Sequence, residues 1–284
     1  MRAELMSDAR QYSTRIAALL RADPVAHHPL ATALDRALRI PVVGQNPDDR
    51  WALAVDGGAV TGVALHRPPD PAVVGLMSDT TAGALAGLLS EVRPDLPGVY
   101  GPQPTVDAFA TMWQERGYAR PVLERSDGVW TLDSADALSD TAYATGELRP
   151  AGEHDLPLLR DWGLDGVDGT TLLWEAGGQP VAAATVSRPL HGVVAIGTVY
   201  TLPELRRHGY GLAVAAAASR HALESGAERC IYHGTLDRPD SLFEELGYRR
   251  TGEVRRYAFE RSNTEHPTGL SMTGTTTAAP RHHV

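Results

Sequence analysis

A single cysteine, Cys230, rules out an intrachain disulfide. A reducing compartment, the cytoplasm, is the matching expectation. Cys230 lies in an apolar run between Arg229 and Ile231 and reads as a small buried hydrophobe rather than a nucleophile. No stretch approaches the roughly 20 apolar residues of a membrane span. The first 21 residues carry charges throughout and lack the apolar core of a signal peptide. Basic excess is missing as well: the formal net charge is -9. That works against nucleic acid or an anionic membrane as partner, since both need a basic surface, and it mildly suits a cationic acceptor. There is no G-x-x-x-x-G-K-[ST] phosphate loop. A three-glycine dinucleotide fingerprint also fails, because Val214 occupies the third glycine position after Gly209 and Gly211. His27-His28 precedes a proline without partners at ligand spacing, so no metal site is expected there.

What is present is enough apolar residue for a core and 284 residues, more than one ordinary domain. Apolar spacing predicts helices over 9–21 and from 29 to about 38, broken at Asp23-Pro24. Strands are expected over 51–55 and 59–66, joined at Asp56-Gly57-Gly58, and over 73–77. A helix over 80–92, a strand over 98–100 and a helix over 104–116 follow. Residues 122–132 read as a closing hairpin around Ser126-Asp127-Gly128. A polar stretch, 133–145, reads as linker. The schedule then recurs, after a helix over 155–162: strands over 171–175, 181–187 and 193–201, a helix over 210–224, a strand over 229–233, a short helix over 241–246 and a strand over 255–259. Local echoes accompany it. Trp51 before Gly57-Gly58 matches Trp174 before Gly177-Gly178, and Gly117-Tyr118 matches Gly247-Tyr248. We read an internal duplication. Residues 262–284, which include His282-His283, read as a disordered, solvated tail.

The segment from Val199 to Leu212 carries the chemistry. A strand ends at Thr201, Pro203-Glu204 turn the chain, Arg206 and Arg207 follow, and then come His208, Gly209, Tyr210 and Gly211 at the start of a helix rich in alanine. Helix starts hold N–H groups without intrahelical acceptors, at the positive end of the macrodipole. Glycines let backbone approach an anion without a Cβ in the way. Two arginines add positive charge. Together these suit a diphosphate. Gly163 to Thr170 forms a Gly/Asp-rich loop, and Asp165, Asp168 and Glu175 are carboxylates within plausible reach of such a site.

On these residues the chain resembles the Gcn5-related N-acetyltransferases. Val199-Tyr200-Thr201, Pro203-Glu204, Arg206, Gly209 and Gly211 are similar to that family's acyl-CoA motif, and Trp174-Glu175, Pro180-Val181 and Leu246-Gly247-Tyr248 add to the likeness. The resemblance covers 148–260. Gly98-Val99-Tyr100-Gly101-Pro102 and Phe109 with Trp113 resemble the degenerate first half of tandem members, without R-x-x-G-x-G, so no CoA is expected there. The resemblance implies an α/β (α+β) fold of two tandem domains, each a mixed, mainly antiparallel sheet flanked by helices: 1–132 degenerate, 133–147 linker, 148–261 binding acetyl-CoA, and 262–284 tail. It implies acetyl-CoA as acyl donor. The backbone of Val199, Tyr200 and Thr201 would run along the pantetheine arm, Arg206 would add charge, and N–H groups of Arg207, His208, Gly209, Tyr210, Gly211 and Leu212 would hold the pyrophosphate. The acceptor would be a small-molecule amine, attacking directly in a ternary complex.

Two departures stand beside it. Phe243 falls where the family often has the tyrosine that protonates the CoA thiolate, and the run before it is compressed, Asp237-Arg238-Pro239-Asp240-Ser241. The acceptor side, after the helix at 155–162, is short. The strand at 193–201 supplies no carboxylate or histidine as base, so the catalytic residues stay unassigned. Tyr200 and Tyr232 read as strand aromatics. Two alternatives stay open: a CoA-binding protein without transfer chemistry, and a different acyl-CoA reaction. The sequence is silent on oligomeric state.

Overall fold

The computed structural model describes residues 1–40, 46–139, 144–166, 168–236 and 242–260. The compressed run at 237–241 and the tail at 262–284 lie outside the described residues, as do 140–143 of the expected linker.

The first half runs β1 (Arg2–Met6), α1 (Ala9–Ala22), α2 (His28–Arg39), β2 (Arg50–Asp56), β3 (Ala59–His66), β4 (Ala72–Val74), α3 (Asp79–Val92), β5 (Gly98–Pro102), α4 (Gln103–Glu115) and β6 (Arg120–Leu132). The second runs β7 (Glu147–Pro150), α5 (Leu156–Asp161), β8 (Thr170–Ala176), β9 (Gln179–Val186), β10 (Val193–Thr201), α6 (Tyr210–Glu224), β11 (Arg229–Thr235), α7 (Leu242–Glu245) and β12 (Arg249–Glu260). Local chemistry accounts for the boundaries. Asp8 caps α1 by accepting from the Gln11 N–H at 2.7 Å, and Tyr12, Ile16 and Leu20, four apart, bury one face of it. Gly57-Gly58 and Gly177-Gly178 all have positive φ, which gives each hairpin the tight two-residue turn that suits strand twist.

The strands form one sheet in the order β1-β2-β3-β4-β5-β12-β6-β11-β10-β9-β8-β7. Each strand of the first half sits as far from one edge as its counterpart in the second half sits from the other. The order is that of two copies related by a twofold between β6 and β12. This is the tandem architecture the repeated schedule implies. In both halves a parallel pair, β4 with β5 and β10 with β11, interrupts the antiparallel sheet.

The closing strands are exchanged. β12 pairs with β5 and β6, while β6 pairs with β11 and β12. This corrects the expected hairpin at 122–132, which is one continuous strand. Ser126-Asp127-Gly128 passes straight through because both edges of that strand are hydrogen-bonded to neighbours, and Asp127 is 2% exposed. β12 likewise begins at Arg249, six residues before the expected start, and β1 was not foreseen.

Cores lie on both faces. In the second half α6 and α7 cover one face with Val194, Ile196, Ala213, Ala216, Cys230 and Phe243, and α5 covers the other with Leu159, Leu164 and Leu173. Burial pushes the Cys230 thiol up to about 12, which suits the hydrophobe expected there. No helix among the described residues is long and apolar enough to cross a membrane.

Candidate acyl-CoA site

The site begins where two parallel strands part. β10 pairs with β11 only at Val193, Val194 and Ala195. Beyond that, β11 follows β6 to Thr235, while β10 follows β9 to Thr201 with a register shift between Ile196 and Val199. The β10 edge from Gly197 to Thr201 therefore has no strand partner on the β11 side. A cleft of about 840 Å³ opens there. It is lined by Gly197 to Thr201, Arg206, Gly211, Tyr232, His233, Gly234, Thr235, Leu242 and Phe243, and by Trp130 of the exchanged strand β6.

At its mouth the chain turns into α6. Arg207 is left-handed, φ 64°, a conformation that costs a non-glycine residue roughly 1 kcal/mol or more. Gly209, φ 83°, is the N-cap and offers no side-chain capping bond. The first-turn N–H groups thus keep their capacity for an anion, and alternating backbone hands aim successive N–H groups into one concavity. Arg206 Nε donates to the Thr201 carbonyl at 3.3 Å, which holds the guanidinium at the cleft, and the Arg206 carbonyl lies 2.9 Å from His208 Nδ1. At Gly211 an added Cβ would come within 3.2 Å of Thr201 Oγ1 and 3.5 Å of Leu242. That position is closed to bulk.

Of the ten sequence-derived residues, Val199, Tyr200, Thr201, Arg206 and Gly211 line the cleft. Arg207, His208, Gly209, Tyr210 and Leu212 form the turn and first helical residues around it. The Tyr200 ring faces away from α6 and stacks on Trp162 at 4.8 Å. The candidate carboxylates are spent elsewhere. Glu175 pairs with Arg149 at 2.7 Å, Asp165 lies 3.8 Å from Arg160, and Asp168 pairs with Arg36 at 3.1 Å and with Arg39 of α2. None of the three lines the cleft. Phe243 stacks on Tyr232 with ring centroids 3.6 Å apart and meets Tyr248 edge-on. The Tyr232 ring lies over Gly234, where any Cβ would sit 2.5 Å from it.

His233 was missed. Strand alternation puts Cys230 and Tyr232 on the α6 face and His233 on the other, where its ring meets His28 of α2 at 6.3 Å. Its Nε2 is buried without a hydrogen-bond partner among the described residues. Burial pushes the imidazole down to about 4; the Asp127 carboxylate opposes that and Arg125 adds to it. At neutral pH the ring is uncharged, with a lone pair on one nitrogen. The available signal was its parity, opposite to that of Cys230, along a strand otherwise read as apolar.

The site is thus a cleft between parting strands, closed at one end by an uncapped helix start. Residues 135–248 match the acetyltransferase (GNAT) family: that stretch is a GNAT acetyltransferase domain and the protein is an acyltransferase. Solved structures similar to the whole chain include a GCN5-related N-acetyltransferase from Kribbella flavida, 18% identical, covering 83% of this chain and 95% of that one at a TM-score of 0.58. Another, from Sphaerobacter thermophilus, is 14% identical, covering 91% and 95% at 0.53. A tandem GNAT protein from the clavulanic acid biosynthesis pathway is 13% identical, covering 93% and 100% at 0.56. At these identities the likeness is one of fold. No curated protein matches the chain.

Proposed function

We propose that the protein moves an acetyl group from acetyl-CoA to a small-molecule primary amine by direct attack in a ternary complex, and that residues 148–261 hold the cofactor while 1–132 form the degenerate partner, joined by 133–147. The observation that carries this is the unpaired β10 edge leading to the uncapped start of α6. The pantetheine arm adds to that edge as a strand would, and N–H groups from Arg207 to Leu212 receive the pyrophosphate. A β10 N–H beside the register shift polarises the thioester carbonyl and receives the oxyanion. The amine nitrogen forms the new C–N bond, collapse breaks C–S, and His233 accepts the proton that the nitrogen loses. The thiolate takes up a proton as CoA leaves. Tyr232, stacked on Phe243 in the cleft, carries the hydroxyl we assign to giving it.

A second reading, a CoA-binding protein without transfer, is favoured by Phe243, whose ring cannot donate a proton. One experiment separates the two: titrate with acetyl-CoA, then follow thiol release with a panel of amines. Saturable binding with amine-dependent release supports transfer. Binding without release supports the second reading, and absence of binding contradicts both.

A further inference from the structure

A second cavity, about 560 Å³, lies on the sheet face opposite α6. Its roof is α2 of the first half, and its floor includes Tyr100 of β5, Ala195 of β10, His233 of β11 and Arg256 of β12. His233 lines both this cavity and the acyl-CoA cleft, just past the last β10–β11 pair. The short, Gly/Asp-rich loop of the second half is tied to that roof through Asp168, which pairs with Arg36 and Arg39. The first half thus encloses the side that the second half leaves open.

The walls tell what would fit. Four buried polar atoms on residues lining this one cavity have no hydrogen-bond partner among the described residues: His28 Nε2, Thr32 Oγ1, Asp49 Oδ1 and His233 Nε2. Buried polar groups are nearly always satisfied, because an unmet one forfeits its hydration without return. Four on the residues of one cavity give its walls a polar character. Three guanidiniums line it too. Arg36, Arg67 and Arg256 each bond a carboxylate through Nε, on Asp168 at 3.1 Å, Asp49 at 3.0 Å and Glu124 at 2.9 Å, so their terminal amino groups remain for another oxyanion. The carboxylates lining the cavity are Asp49 and Asp70, one of them already matched to Arg67. A dication has less to meet here than an anion.

We propose that this cavity is the acceptor site, and that the acceptor is a primary amine carrying an oxyanion group, a carboxylate or a phosphate, gripped by Arg36, Arg67 and Arg256 while its nitrogen reaches His233 and the thioester. This rests on the acetyl-transfer reading above. The amine enters neutral; nitrogen bonds the acetyl carbon, the C–S bond breaks with its electron pair going to sulfur, and one nitrogen proton passes to His233; the departing thiolate takes a proton from the Tyr232 hydroxyl, which regains one from His233 through solvent, leaving an amide and the CoA thiol.

The test compares kcat/KM for matched amines: β-alanine against 3-aminopropanol, phosphoethanolamine against ethanolamine, and putrescine alone, with acetyl-CoA affinity measured separately by calorimetry. The anionic member of at least one pair is expected to lead by about tenfold or more, the value of one good charge-assisted contact. Which pair responds distinguishes carboxylate from phosphate. Arg36→Gln and Arg256→Gln are expected to raise KM for that member while acetyl-CoA affinity stays. Equal rates within both pairs, putrescine as the best acceptor, or a preference that survives both substitutions overturns the acceptor class. Acetyl-CoA binding with no release from any of these amines overturns it as well and leaves the donor site standing. Absence of acetyl-CoA binding overturns the transfer reading and this one with it.

Discussion

The two halves share one sheet topology, yet they treat the corner where the parallel strands part differently. In the second half β10 is nine residues long and its last six extend past the pairing with β11. In the first, β4 has three residues, and the chain beyond it is held by hydrogen bonds to side chains. The Leu76 N–H donates to His27 Nδ1 at 3.3 Å. The Met77 N–H donates to Thr105 Oγ1 at 3.0 Å, and that hydroxyl returns to the Met77 carbonyl at 3.3 Å. The helix starts differ in the same sense. Ser78 caps α3 with its own hydroxyl and Asp79 adds a negative charge to the first turn, whereas Gly209 leaves α6 uncapped beside two arginines. One fold therefore holds a hydrogen-bonded and an unpaired version of the same corner. What separates them is a handful of side chains that satisfy, or leave unsatisfied, the backbone.

The sharpest way to break this comparison is to add equal bulk to both helix starts. Gly211→Trp should weaken acetyl-CoA binding by more than about a hundredfold, some 2.7 kcal/mol, because the side chain enters the lined cleft. Thr80→Trp, at the exposed start of α3, should leave affinity unchanged. Calorimetry on both variants, with circular dichroism to confirm folding, checks the pair; a loss in Thr80→Trp would put a donor site in the first half.

His233→Ala should lower kcat by about a hundredfold, the low end for a lost general base, without changing acetyl-CoA affinity. A kcat within a few-fold of wild type removes His233 from proton transfer.

Acid should loosen the seam where the halves meet. Burial pushes His28 down to about 3 and His233 to about 4, against an ordinary value of 6.5. The folded chain keeps both neutral while the unfolded chain protonates them, so stability falls as pH drops through 6.5 and levels off below about 3. Between pH 7 and 5 each histidine accounts for roughly 2 kcal/mol of that loss. Urea unfolding at the two pH values measures it, and a His28→Gln/His233→Gln double variant should show a flatter dependence.

The smallest expected effect sharpens the contrast. Ser78→Ala should cost about 1 kcal/mol of stability and leave acetyl-CoA binding untouched. Gly209→Ala, forced to a positive φ, should cost a similar amount and weaken binding too.

How much of this was legible beforehand follows from the range of the interactions. Turn glycines, strand patterning and the Arg206 to Gly211 loop act within a few residues, so their positions were readable. β10 and α6 lie where apolar spacing put them. The strand exchange was not readable, because β6 and β12 pair across more than a hundred residues and Asp127-Gly128 has the local chemistry of a turn. The cavity proposed for the acceptor was hidden for the same reason: His28, Asp49, Tyr100, His233 and Arg256 are scattered along the chain and meet only through the sheet order. The base was sought on β10, while the histidine sits on the neighbouring strand.

The central claim is tested most directly by a crystal structure with CoA bound. The expected density places the pantetheine arm along the β10 edge at Gly197 to Thr201 and the pyrophosphate within hydrogen-bond distance of N–H groups between Arg207 and Leu212. CoA bound at the start of α3, or a cleft between β10 and β11 that stays empty at saturating CoA, would contradict the account.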